Sequence, residues 1–132
     1  MNMKNSLAFC FLILTCAFSY AQNKCEKFKT GEFVNTENGI VKTSIQRNDS
    51  IQTEQFNGKE IKLQITWIDD CSYRLKFLEG NEAFYKSRLK DMPMYDLMVH
   101  ITSVDGDTYT QESKSIDDEN DFVYKSTIKK IK

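Results

Sequence analysis

The chain has 132 residues, with 18 Lys and Arg against 19 Asp and Glu, a single His and a formal net charge of −1. That length suits one domain and leaves no room for a second core. The charge balance offers no basic face or stripe, so nothing points to nucleic acid as a partner.

Residues 1–21 read as an export leader. Lys4 supplies a positive start, and the apolar run Leu7-Ala8-Phe9-Cys10-Phe11-Leu12-Ile13-Leu14 follows. Ser19-Tyr20-Ala21 ends the run with small residues at both positions a signal peptidase reads, which makes Gln22 the expected new N-terminus. A basic start, an apolar core of roughly 7–15 residues and a small-x-small end define a secretory signal. A membrane-spanning helix needs about 20 apolar residues, and Thr15 and Ser19 interrupt this run. The alternative is a lipid on Cys16, with Ile13-Leu14-Thr15 as the lipobox; Thr15 is a poor residue there. Membrane attachment is expected only if Cys16 carries that lipid. Otherwise the mature chain, 22–132, is a single weakly acidic β domain, periplasmic or secreted.

Cys10 and Cys16 leave with the leader, so Cys25 and Cys71 remain. Two cysteines in an oxidising compartment are expected to pair. The long loop they close is worth about 4 kcal/mol in the chain-entropy model.

From Phe28 onward, alternating apolar and polar residues are broken at regular spacing by turn residues. Phe28 to Val34 and Ile40 to Arg47 flank Thr36-Glu37-Asn38-Gly39, with two registers fitting equally. A loop at Asn48-Asp49-Ser50, which is also an N-glycosylation sequon, sets Arg47 against Ile51 and Ile45 against Thr53. A three-residue loop at Asn57-Gly58-Lys59 then sets Gln55 against Ile61, Thr53 against Leu63 and Ile51 against Ile65. Pairing across Asp69-Asp70-Cys71 sets Trp67 against Tyr73, Ile65 against Leu75 and Leu63 against Phe77, and all six fall on one face. A short helix is expected over Glu82 to Lys90, stopped before Pro93. Strands follow over Leu97 to Val104, Thr108 to Ser115 and Phe122 to Ile131. About eight antiparallel strands in a meander predict an all-β, lipocalin-like small barrel, with a two-sheet sandwich as the alternative.

The predicted inner face includes polar residues. Arg47, Thr53 and Gln55 fall on the side of Ile45, Ile51 and Leu63. A buried polar group without a partner costs roughly 1–3 kcal/mol. These residues therefore either sit at the rim near turns or, with Trp67 and Tyr73, line a candidate ligand cavity. No catalytic residues, cofactor or metal are expected. His100 stands alone in an apolar strand, so a nucleophilic triad lacks its parts. Asp69-Asp70, Asp105 with Asp107, and Asp117-Asp118-Glu119 with Asp121 lie in turns, where Asp is favoured for backbone reasons. The last group lacks the spacing and glycine of a calcium loop, and no glycine-rich phosphate loop or zinc spacing is present. Lys125, Lys129, Lys130 and Lys132 read as a solvated strand edge.

Cys25 with Phe28-Lys29-Thr30-Gly31-Glu32-Phe33, then Arg47, Gln55 and Trp67-Ile68-Asp69-Asp70-Cys71-Ser72-Tyr73 with Leu75, resemble a family of small exported bacterial proteins of uncharacterised function. Many are periplasmic or lipoprotein-like, and some carry the label "DNA topoisomerase IV". The resemblance covers most of the mature chain. It implies the same disulfide pair and a β-rich fold, and it supplies no active site. A topoisomerase needs an ATP-binding fold or a tyrosine cleavage domain with metal-binding acids, each far larger than this chain, so that label is an inherited error. The expected function is a non-catalytic exported module that binds a small ligand in a β-barrel. The alternative is an envelope protein-interaction or enzyme-inhibitor module, its acidic loops facing a basic partner.

Overall fold

The computed structural model of the protein describes residues 24–119 and 122–132. The expected leader, with Cys10 and Cys16, lies outside the described residues, as do residues 120–121 of the acidic loop. The strands are β1 Gly31–Glu37, β2 Ile40–Arg47, β3 Ile51–Phe56, β4 Lys59–Asp69, β5 Ser72–Gly80, β6 Leu97–Asp105, β7 Thr108–Ser115 and β8 Val123–Lys130. They pair antiparallel in chain order and close into a barrel, so the sandwich alternative falls away. A 3-10 turn, Glu26–Phe28, precedes β1, and one helix, α1 Glu82–Ser87, joins β5 to β6. Closure is made by β1 against β8, Phe33 opposite Lys130 and Asn35 opposite Ile128. The chain end extends it, because the Glu32 amide donates to the Lys132 carbonyl at 2.7 Å.

The β4–β5 hairpin has the register its alternation dictates: Trp67 opposite Tyr73, Ile65 opposite Leu75, Leu63 opposite Phe77. Both strands carry apolar residues at every second position, so one register alone buries them all.

Strand β3 departs from expectation by one residue. Gln52 faces Leu63 and Glu54 faces Ile61 on β4, and on β2 Arg47 pairs with Gln52 and Ile45 with Glu54. The cause is the turn. Asn57 (φ 50°) and Gly58 (φ 75°) are both left-handed, so they form a two-residue connection in which Phe56 pairs with Lys59. Such a turn matches the twist of the flanking strands better than the longer loop. A one-residue slip exchanges the two faces of a strand. Gln52 and Glu54 therefore enter the barrel, while Thr53 and Gln55 point outward.

Two smaller differences have similar local causes. Phe28 belongs not to β1 but to the 3-10 turn, and the chain bends at Gly31 (φ 130°), the first residue of the strand. A side chain at Gly31 would strike the Lys132 carbonyl. The helix stops at Ser87 rather than Lys90, and Arg88 Nη2 instead donates to the Met92 carbonyl at 2.8 Å. The Asn81 side chain caps α1 by accepting from the Phe84 amide at 3.0 Å and donates to the Gly58 carbonyl at 3.1 Å. This pins α1 to the β3–β4 turn and stacks Phe84 on Phe77, with 5.4 Å between centroids.

The two barrel ends differ. At one end the disulfide Cys25–Cys71 fastens the 3-10 turn to the β4–β5 connection. Phe28 is thereby wedged beneath the barrel against Tyr109, with ring centroids 4.7 Å apart. The other end carries the β1–β2 and β3–β4 turns, the 81–96 segment and the described residues of the acidic loop. Most of the large exposed apolar side chains gather there, among them Ile40, Val41, Leu89, Met92 and Phe122.

Candidate functional site: the barrel lumen

Arg47 is the hub of the interior. It ends β2 at the plugged end, and its side chain is only 4% exposed. Nε donates to Gln52 Oε1 at 2.9 Å and Nη1 to the Phe28 carbonyl at 2.6 Å. Nη2 reaches the Tyr109 hydroxyl at 3.1 Å and the Tyr73 hydroxyl at 3.3 Å. Four of the five N–H donors of a guanidinium are thus engaged. The guanidinium carbon also lies 4.6 Å from the Phe33 ring centroid and 4.9 Å from that of Tyr73, where the ring faces favour a cation. Burial works against its charge, but the Tyr73 and Tyr109 hydroxyls overcome that and hold the Arg47 pKa above its ordinary value.

The network runs on across the barrel. The Tyr73 hydroxyl donates to Gln111 Oε1 at 2.8 Å, and Gln111 Nε2 donates to Ser126 Oγ at 3.0 Å. Burial, and then the Tyr109 hydroxyl, push the Tyr73 pKa far up despite the opposing Arg47 charge, so Tyr73 is a neutral donor. In the other direction Gln52 Nε2 donates to Glu54 Oε1 at 3.1 Å. Gln52 is the one side-chain hydrogen-bond partner of the Glu54 carboxylate among the described residues. Burial raises the Glu54 pKa, and the Gln52 hydrogen bond and the Arg47 charge only partly offset it.

Above this network lies a cavity of about 200 Å³, bounded below by Arg47, Gln52 and Tyr73 and reaching Phe56 and Leu97 toward the unplugged end. Its walls differ in character. Asn35, Thr43 and Glu54, from β1 to β3, and Gln111 and Ser113, from β7, make one side polar, relieved by Ile45 and Ile128. Leu75, Val99 and Leu97, from β5 and β6, make the facing side apolar. A chamber with both characters orients a bound molecule, because a few polar groups set its direction and apolar walls supply contact.

Of the residues expected to line a cavity, Arg47 and Tyr73 do so. Thr53 and Gln55 do not: Gln55 Nε2 bonds Glu60 Oε2 on the exterior at 2.8 Å. Trp67 lies at the plugged end, outside the cavity, with its ring centroid 4.8 Å from that of Tyr73. The strand alternation does not bring Gln52, Glu54 or the Asn35–Thr43 pair to the lumen; for the first two the signal in the sequence is the Asn57-Gly58 dipeptide. Asn35 and Thr43 lie one register step above Phe33 and Ile45, the paired core residues of β1 and β2.

Outside the barrel, His100 is exposed and its Nδ1 lies 2.7 Å from Ser72 Oγ. Asp69 accepts from the Cys71 amide at 3.0 Å, the turn-stabilising role expected of it. Among the described residues no three His, Cys, Asp or Glu side chains converge as metal ligands. No known family model, curated protein or solved structure matches this chain.

Proposed function

We propose that the protein is a non-catalytic, exported binding protein that holds one small molecule in its barrel lumen. The observation that carries this is the two-sided cavity with Glu54 on its wall, a carboxylate bonded by Gln52 alone among the described residues. Glu54 is half-buried, so its carboxylate loses part of its hydration with one amide bond in return, which core packing alone gives no reason to retain. The cavity is smaller than the roughly 300–1,000 Å³ usual for drug-sized ligands, so the cargo is a compact molecule. A disulfide across the plugged end fits an oxidising compartment, and so does the resemblance to small exported bacterial proteins.

Native mass spectrometry of the mature protein from its own host tests this. A small added mass that disappears on denaturation is expected, and a bare chain at native and denatured mass alike contradicts it. The denatured mass also reports cleavage after Ala21 and any lipid on Cys16.

One observation favours a second role, as a protein-interaction module. Ile40, Leu89, Met92 and Phe122 stay exposed at the unplugged end, and exposed apolar patches mark interaction surfaces. Under that reading, a partner recovered from envelope extract is lost with the double variant Leu89→Asp, Phe122→Asp; recovery unchanged by the variant removes this role.

A further inference from the structure

The chemistry of the ligand follows from a charge count inside the lumen, and this rests on the lumen-binding reading above. Among the described residues that line the cavity, two are charged, Arg47 and Glu54. Gln52 joins them, accepting from Arg47 Nε at 2.9 Å and donating to Glu54 Oε1 at 3.1 Å. Among the described residues no carboxylate is bonded to the guanidinium directly, so the Glu54 carboxylate is its counter-charge, relayed through one amide. With both groups ionised the lumen carries no net charge.

We infer that the lumen selects an uncharged amphiphile with a hydroxyl or N–H head that donates to Glu54 and a compact apolar body that lies against Leu75, Val99 and Leu97. A cationic head would pair with Glu54 but leave Arg47 as an uncompensated buried charge. An anionic head would meet Glu54 at close range, while the guanidinium already spends four donors on Gln52, Phe28, Tyr73 and Tyr109. Either ion brings a net charge into a chamber where an unbalanced charge is costly. A neutral donor satisfies the carboxylate and leaves the balance intact. Asn35, Thr43 and Ser113 stand on the same polar side to receive a second polar atom.

Three probes of nearly equal size separate the possibilities: benzyl alcohol, benzylammonium and benzoate, each titrated near neutral pH into the oxidised mature protein and followed by protein NMR. Benzyl alcohol is expected to bind roughly ten-fold or more tightly than either ion, a gap of about 1.4 kcal/mol. Glu54→Gln leaves Arg47 as the lone charge, so the order should turn in favour of benzoate. Ser113→Asp adds a negative charge to the same wall without touching the Arg47 network and should turn the order toward benzylammonium, which keeps the test intact if Glu54→Gln folds poorly. If the three probes bind the wild type alike, or the order ignores both variants, the charge inference is overturned while lumen binding stands. If no probe enters the wild-type lumen, both fall.

Discussion

At the scale of single residues, Arg47 and Glu54 carry opposite expectations. Arg47 serves the 3-10 turn, β3, β5 and β7 at once through Phe28, Gln52, Tyr73 and Tyr109. Truncating it removes the donors to the Phe28 carbonyl, Gln52 Oε1 and the two tyrosine hydroxyls and leaves Glu54 without its counter-charge. Arg47→Ala should lower stability by about 3–5 kcal/mol, read from urea unfolding midpoints. Arg47→Lys should recover only part of this, because a point charge cannot reproduce a planar fork of donors. Glu54 is the reverse case. Its pKa is raised in the folded state, so the native protein holds its proton more tightly than the unfolded chain does. Its contribution to stability is therefore fully present below the ordinary glutamate value of about 4.3 and is lost as pH rises through the raised folded value. Unfolding midpoints measured from acid to neutral pH should show the wild type losing ground to Glu54→Gln across that window. Parallel profiles would mean the carboxylate is no better hydrated in the unfolded chain.

At the scale of elements, turn chemistry decides what the strand pattern leaves open. In β4 and β5 every second residue is apolar, so their pairing was legible in the sequence and the structure has it. In β3 the run Ile51-Gln52-Thr53-Glu54-Gln55-Phe56 is polar at four successive positions. Either face is chemically acceptable, so the pattern could not choose. The left-handed Asn57-Gly58 pair chose, and with it which polar residues line the lumen. Phe28 departs from the expected strand for a related reason. It stands five residues from Phe33, an odd spacing that puts the two on opposite faces of any continuous strand, yet both are buried because the chain bends at Gly31. Long-range contacts such as Arg47 Nη1 to the Phe28 carbonyl leave no local trace in a sequence. The turn can be tested in isolation. A Cβ at Gly58 meets nothing within 4 Å, so Gly58→Ala costs only left-handed strain, about 1–2 kcal/mol in unfolding free energy. Gly80→Ala should cost more, because its Cβ would strike the Phe84 ring and unseat α1 from the barrel. Asn81→Ala removes the α1 cap and should cost about 1 kcal/mol by the same measurement.

At the scale of the whole molecule, the barrel is held shut by two devices of different kinds. The β1–β8 closure is non-covalent and rests on strand pairing together with the last residues of the chain. The plugged end is covalent. Cys25–Cys71 spans 46 residues, and the chain-entropy model gives such a link about 4 kcal/mol. Cys71→Ser should lower unfolding free energy by about 2–5 kcal/mol, and a reductant should destabilise the wild type by a similar amount while leaving the variant unchanged. Because the disulfide also seats Phe28 under Arg47, its loss should weaken lumen binding as well as stability. All of this places a rigid floor beneath a chamber whose walls come from most of the strands, and the central claim is that a small molecule occupies that chamber. The most direct test is methyl-resolved NMR of the oxidised protein with benzyl alcohol. The account predicts intermolecular cross-peaks from the probe to the methyl groups of Leu75, Leu97, Val99 and Ile128. Cross-peaks confined to exposed methyls such as those of Ile40, Leu89 and Ile131, or none at all, would contradict it.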